Sequence, residues 1–193
     1  PIMKNSGYIN CAYPKTALTL IQEISWDINR SDMPIINLSG QDLSGLNFEH
    51  INLSYSNFRG SNFTTTNIAS TDFTSANLSG VDLSAKDLTE STLTRTDLRN
   101  ANLAGANLSN NELLNTILTG ADLTDANLSG ANLSTTNIFG IVDGINILEK
   151  TKLKGANLTN ANLTNINLIA VDISEAILNG AVLTGVELER AKA

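Results

Sequence analysis

The feature that most constrains this sequence is a five-residue period. From Leu38 to Leu188, every fifth residue is Leu, Phe or Ile at 30 of 31 positions, and Asp143 is the exception. This spacing fits neither the alternation of a simple strand nor the 3.6-residue repeat of an α-helix. A chain with such a period must turn after each short extended piece. We call each of these residues the centre of its pentad.

The other positions of each pentad are restricted too. The residue two before the centre is Ala at ten positions and Ser or Thr at nine more, and the residue just before it is mostly Asn or Asp. Ser or Thr often follows the centre, and Gly ends the pentad eleven times, so the consensus is A-[D/N]-L-[S/T]-G. We expect the centres and the small residues to face inward, where larger side chains would crowd the core.

The family resemblance given below implies a square cross-section, in which four pentads make one coil, and the resulting period of twenty residues predicts which residues stack. Neighbouring coils should pair through backbone hydrogen bonds about 4.8 Å apart, which gives just under eight coils over residues 36–193. One predicted interior ladder is Leu43, Phe63, Leu83, Leu103, Leu123, Asp143, Leu163 and Leu183. Outside, the same period puts Asp42, Asp82 and Asp122 on one face, and Asp72, Glu112 and Asp172 on another.

The repeat resembles that of the pentapeptide-repeat family, and the run from Ala121 to Gly130 matches the consensus throughout. The resemblance covers residues 36–193. It implies an all-β fold, a right-handed quadrilateral parallel β-helix with ladders of Leu or Phe inside.

The two ends of the chain differ from the repeat. Residues 1–35 lack it, and apolar residues at helical spacing between Pro14 and Pro34 predict a short α-helical cap at about 15–29, because an open solenoid end exposes apolar surface. At the other end Leu188 is still in phase and no cap follows. This pattern predicts that the end is covered, either by a further domain or by a second copy in a homodimer formed through the C-terminal end.

The repeat breaks at residues 139–150, although its phase returns at Leu153. Two interpretations stay open: a loop that leaves the rod, or a distorted coil whose apolar residues still pack inward. The loop would expose apolar residues beside a basic run, which is typical of an interaction site. The partner-binding residues that it predicts are Phe139, Ile141, Val142, Asp143, Ile147, Lys150, Lys152 and Lys154.

Composition argues against several functions. A net charge of −7 disfavours direct binding of nucleic acid, which needs clustered Lys and Arg. The single His and single Cys, His50 and Cys11, and the dispersed aspartates predict no catalytic, cofactor or metal site. No apolar run is long enough to span a membrane. Lys86 falls at an inward position, and we expect its ammonium to reach outward, near Asp87 or Glu90.

The first functional hypothesis is therefore a non-catalytic scaffold for binding another protein. The resemblance implies two settings for it: a free-standing bacterial repeat protein, or the β-helix domain of a secreted effector, including effectors in which it precedes a ubiquitin-ligase domain. The alternative is a protein that mimics DNA and protects a topoisomerase, DNA gyrase, although Arg and Lys residues interrupt the acidic surface. The partner and the compartment, bacterial cytoplasm or host cell, stay open.

Overall fold

A computed structural model describes residues 8–10, 35–134, 140–142, 145–147, 151–164, 166, 168 and 171–186. Its strands are β1 (Tyr8–Asn10), β2 (Ile35–Asn37), β3 (Gly140–Val142) and β4 (Ile145–Ile147). The other described residues form a regular succession of single-residue β-bridges and turns. None of the described residues is helical, and none of them belongs to a helix long and apolar enough to cross a bilayer.

Each pentad is one short extended piece followed by one turn. The amide of the residue three after a centre donates to the carbonyl of that centre, as Ala126 does to Leu123 at 3.0 Å. The residue two after the centre adopts a left-handed conformation, with φ of 57° at Asp125 and 70° at Gly130. Gly adopts this conformation without strain and Asn and Asp tolerate it best among the others, which explains the end of the consensus.

Parallel bridges between residues twenty apart build the coils, for example Asn37 with Asn57 and Asp42 with Asn62. Four pentads therefore make one coil, and the rod has four faces, named here by the residues just before the centres. Face A has Asn37, Asn57, Asn77, Asp97 and Ile117; face B has Asp42, Asn62, Asp82, Asn102, Asp122, Lys152 and Asp172. Face C has Asn47, Asn67, Asp87, Asn107, Asn127, Asn157 and Ile177; face D has Asn52, Asp72, Thr92, Glu112, Asn132, Asn162 and Val182.

The centres fill the interior of the rod, as the sequence predicted. Leu83, Leu103 and Leu123 are completely buried, and so are the alanines at 101, 106 and 121. Burial of this apolar area is the main favourable term for the fold. In the N-terminal coils the space is filled by Phe48, Phe58, Phe63 and Phe73, whose ring centroids lie 5.6–6.4 Å apart in tilted or edge-on arrangements.

Polar side chains satisfy the hydrogen-bonding groups of the turns. Asn127 Oδ1 accepts a hydrogen bond from the amide of Ser129 at 3.1 Å, while its Nδ2 donates to Asn107 Oδ1 at 3.1 Å. Inward Ser and Thr residues donate to the carbonyl of a centre in the preceding coil, as Thr96 does to Phe73 at 2.8 Å. Each coil is thereby tied to the next by side chains as well as by backbone.

The ladder predicted beyond Leu123 is wrong. The bridge partner of Asp122 is Lys152, thirty residues away instead of twenty, and the pairs Asn127–Asn157 and Asn132–Asn162 have the same offset. Leu123 therefore donates its amide to Lys152 and stacks towards Leu153, not towards Asp143 and Leu163. Ten residues have been inserted between Asn132 and Lys152, and because they are two whole pentads, they preserve the five-residue phase while moving all later residues by two faces.

At the N-terminal end, β1 pairs in parallel with β2 and places Asn10 opposite Asn37, so that it extends face A beyond the first coil. The helix predicted at about 15–29 lies outside the described residues. The centres of the first coil are nevertheless buried: Leu38, Leu43 and Phe48 are 0% exposed.

Candidate interaction surface

The ten inserted residues include an antiparallel hairpin. Strand β3 pairs with β4, with Gly140 opposite Ile147 and Val142 opposite Ile145. In the sequence, the two residues between these strands are Asp143 and Gly144, a dipeptide strongly preferred in two-residue hairpin turns. This dipeptide is a sequence signal for a hairpin. Counting in fives hides it, because Asp143 then counts only as a centre that is not apolar. The bridges between residues thirty apart pass over ten residues that the stacking of the coils does not use.

The predicted partner-binding residues fall into three groups. Ile141 and Val142 belong to β3, and Ile147 belongs to β4. Lys152 lies on face B, where the chain has rejoined the rod, and Lys154 lies in the turn that follows it. Phe139, Asp143 and Lys150 lie outside the described residues.

The two described lysines are engaged with acidic residues of neighbouring coils. Lys152 Nζ lies 2.6 Å from Asp122 Oδ2, and Lys154 Nζ lies 3.3 Å from Glu175 Oε1. Partial burial raises the pKa of Asp122, but Lys152 and the hydroxyl and amide of Thr124 outweigh it, so that the pKa is lowered overall. Lys152 therefore joins the coils on either side of the insertion, and Lys154 joins the two coils that follow it. That these lysines also form a basic rim for a partner stays a prediction.

Face B carries a row of carboxylates separated by amides. In the order of stacking, its first five residues alternate between Asp and Asn. Asn62 Nδ2 donates to Asp42 Oδ1 at 2.9 Å, and Asn102 Nδ2 donates to Asp82 Oδ1 at 3.0 Å. The amides keep like charges about two coil spacings apart, roughly 10 Å. The side-chain hydroxyls and amides of Ser44 and Ser84 lower the pKa of Asp42 and Asp82, respectively.

The acidic faces differ from the prediction at one residue. Asp42, Asp82 and Asp122 share face B, as expected, and Asp72 and Glu112 share face D. Asp172 was expected beside Asp72 and Glu112, but it bridges to Lys152 on face B. The two-face shift caused by the ten inserted residues explains this difference.

The last described coil exposes apolar side chains. Ile177, Val182 and Leu183 are 47%, 46% and 40% exposed. Leu183 is a centre, and it contrasts with the fully buried centres of the first coil. Ile177 and Val182 instead occupy outward positions where Asn157 and Asn162 carry amides in the preceding coil. An apolar surface therefore extends from the C-terminal end of the described rod onto faces C and D.

The remaining reactive side chains do not converge. His50 is an exposed turn residue, 3.8 Å from Glu49. Lys86 Nζ donates to the carbonyl of Thr66 at 2.7 Å, so its partner is neither Asp87 nor Glu90. Desolvation lowers the pKa of Lys86, partly offset by the charge of Asp82. Across the described part of the chain, no three His, Cys, Asp or Glu residues are grouped as metal ligands.

Comparison with known families agrees with this geometry. A family model described as pentapeptide repeats matches in eight copies, over residues 36–68, 71–110, 101–138 and 147–192. The chain belongs to the pentapeptide-repeat family. Its members form right-handed quadrilateral β-helices, and the twenty-residue coil seen here is of that kind.

Several solved pentapeptide-repeat structures are similar to this chain. HetL of the cyanobacterium Nostoc, involved in heterocyst differentiation regulation, is 26% identical, with 90% of this chain and 92% of HetL covered and a TM-score of 0.40. A protein of the Arabidopsis thaliana thylakoid lumen is 29% identical, covering 66% and 68% of the two chains, with a TM-score of 0.31. QnrB1, a plasmid-mediated fluoroquinolone resistance protein, is 17% identical, covering 78% and 71%, with a TM-score of 0.27. No curated protein matches.

Proposed function

We propose that this pentapeptide-repeat protein is a non-catalytic scaffold that binds another protein through the hairpin β3–β4. The observation that carries the proposal is the ten-residue insertion. The rod continues in the same five-residue phase on both sides of it, with Leu123 stacked towards Leu153, so the solenoid has no need of these residues. Loops and insertions held by a rigid framework are where binding functions concentrate.

The absence of catalysis is part of this proposal. Enzymes need several polar groups that converge in a cleft. Here His50 lies at an exposed corner, and the ammonium of Lys86 is held by a backbone carbonyl of its own rod. Whether the chain acts alone or within a longer effector, including one with a ubiquitin-ligase domain, does not change the role proposed for the hairpin.

The experiment compares the intact chain with a variant that lacks residues 138–147. This deletion joins Asn137 to Leu148 and leaves the pentad Thr136-Asn137-Leu148-Glu149-Lys150, which is in phase with Leu153. Both proteins are used as bait in bacterial and host lysates, after circular dichroism has shown that both are folded. We expect specific partners to be captured only by the intact chain. If both baits capture the same proteins, the hairpin is not the binding element.

Three point variants refine the experiment. Phe139→Ser, Ile141→Ser and Ile147→Ser each remove an apolar side chain from the predicted binding segment without changing its length. Loss of the partner with unchanged thermal stability would place that residue in the interface. If all three variants keep both stability and partner, the segment is neither interface nor core.

A second candidate, protection of a topoisomerase by mimicry of DNA, is favoured by the carboxylates of face B. Asp42, Asp82 and Asp122 lie at alternate coils along one flat face. The direct test is a supercoiling assay with DNA gyrase and a quinolone. The triple variant Asp42→Asn, Asp82→Asn, Asp122→Asn is suitable, because Asn is the commonest residue at these positions and supports the same turn. Equal protection by parent and triple variant would exclude mimicry through face B.

A homodimer is also part of the proposal. The exposed apolar residues Ile177, Val182 and Leu183 form a surface that a second copy can cover symmetrically.

A further inference from the structure

One turn residue of the rod is buried where its equivalents are not. Thr119 directly follows the centre Leu118, and the other described residues at this position of the pentad are half-buried or exposed. Thr119 is 5% exposed. Because the position points away from the core, another part of the protein must cover it.

The Thr119 hydroxyl has also lost its usual partner. Elsewhere the hydroxyl after a centre donates to the Asn or Asp before it, as Thr124 does to Asp122 at 2.6 Å and Ser79 to Asn77 at 2.7 Å. Ile117 occupies that place in the pentad of Thr119 and offers no acceptor. Within the described residues, Thr119 Oγ1 is the buried side-chain oxygen or nitrogen that makes no hydrogen bond.

Regular stacking of the next coil does not bury such a residue. Thr124 has Lys154 directly above it, since the amide of Asp125 donates to the Lys154 carbonyl at 2.8 Å, yet Thr124 is only half-buried. The difference lies in where the insertion falls. Asn132 lies on face D and Lys152 lies on face B, and face A comes between these two faces along the chain. The ten extra residues are therefore inserted on face A, in the coil that follows Ile117.

We propose that the hairpin β3–β4 folds back onto face A, where Ile117 and Thr119 form its seat. A two-stranded hairpin is marginally stable on its own in water, so it needs support from the rod. Ile at position 117 replaces the Asn or Asp of the repeat and supplies apolar contact area. Thr119 contributes a small surface that the hairpin can cover, and its hydroxyl is then buried without a hydrogen bond. This inference does not depend on the binding role proposed for the hairpin.

Docking would hold the hairpin in one orientation relative to the rod. In a hairpin with a two-residue loop, the pair next to the loop, Val142 and Ile145, is hydrogen-bonded, and the following pair, Ile141 and Asn146, directs its backbone groups outward. The docked hairpin therefore offers strand edges at fixed positions, and the hairpin would lose less conformational freedom when a partner adds a strand to it.

The test uses Ile117→Asn in two backgrounds. In the intact chain this variant removes the apolar seat, and we expect amide hydrogen exchange in β3 and β4 to become at least about tenfold faster and Tm to fall. In the chain lacking residues 138–147 the hairpin is absent and cannot cover Ile117 and Thr119. There the new side-chain amide restores the acceptor for Thr119, and we expect Tm to rise. The control is Thr92→Asn, which places the same side-chain amide at the equivalent position of face D and should leave exchange in the hairpin unchanged.

Opposite signs of the Tm shift in the two backgrounds, together with faster exchange in the hairpin, would support the proposed packing of the hairpin on face A. The same sign in both backgrounds, or unchanged exchange in β3 and β4, would overturn it. If the deletion variant does not fold, the exchange measurement on the intact chain still decides the question, because Ile117→Asn restores the consensus residue of the repeat.

Discussion

Asn110 Oδ1 lies over Gly130 in the following coil, in the space that a Cβ atom at Gly130 would occupy. Asp125 covers Gly155 and Asn160 covers Gly180 in the same way. These glycines therefore serve two purposes: they adopt the left-handed turn, and they make room for the polar corner residue of the coil before.

Gly130→Ala should lower the free energy of unfolding more than Gly60→Ala, which serves as its matched control. Both glycines have positive φ, 70° and 63°, so an alanine at either position costs about 1–2 kcal/mol. No atom lies within 4 Å of a Cβ at Gly60, whereas Asn110 would have to leave its rotamer at Gly130, adding roughly 1 kcal/mol. Chemical denaturation measures both. The double variant Asn110→Ser, Gly130→Ala should remove the difference, and a persisting difference would contradict the steric explanation.

Leu123→Asp should destabilise the rod severely. Leu123 is 0% exposed and stacks between Leu103 and Leu153, where a carboxylate has no partner, so we expect a loss of several kcal/mol, on the order of 3–5. Ser129→Asp, at an outward turn position, is the control and should change stability by less than about 0.5 kcal/mol. A melting temperature equal to that of the parent would mean that Leu123 does not face inward.

The repeat itself predicts most of this fold, because the residue types of each pentad indicate which side chains point inward and which residue forms the turn. The inward side chain of Leu123 and the common face of Asp42, Asp82 and Asp122 follow from counting alone. Counting fails at Leu163, because an insertion of two whole pentads is invisible in the five-residue phase. The dipeptide Asp143–Gly144 could have revealed the hairpin from the sequence. The burial of Thr119 could not be predicted from its own pentad, where the only unusual residue is Ile117.

Asn102→Asp should weaken the rod through charge repulsion on face B. The new carboxylate would stand between Asp82 and Asp122, one coil spacing from each, and the hydrogen bond from Asn102 Nδ2 to Asp82 would be lost. We expect a loss of about 1 kcal/mol at low ionic strength and pH 7. Asn127→Asp on face C, between Asn107 and Asn157, is the control. The difference between the two variants should shrink in 1 M salt; a difference independent of salt would argue against repulsion.

Acid should remove part of the stability supplied by face B. The pKa values of Asp82 and Asp122 are lower in the folded chain than their ordinary value, so ionisation favours folding. This contribution is fully present above the unfolded pKa of about 3.9 and disappears as the pH falls through the lower folded values. Urea unfolding between pH 7 and pH 2 measures it. The triple variant with Asn at 42, 82 and 122 should lose less stability over this range, and an identical pH profile would show that these carboxylates contribute nothing.

Self-association should depend on the apolar surface at the last described coil. Leu183 is a centre with 40% of its surface exposed, and Ile177 and Val182 add apolar area at outward positions beside it. In a two-fold dimer each copy would cover these residues of the other, and the gain from removing apolar area from water would drive association. Analytical ultracentrifugation at micromolar concentration should show a dimer for the parent. Leu183→Glu should shift the chain towards monomer, because it places a charge in the centre of the contact, whereas Asn179→Glu, a polar change in the same coil, should leave the dimer intact. A parent that sediments as a monomer at every concentration would contradict the dimer, and a dimer that survives Leu183→Glu would show that the chain associates through a different surface.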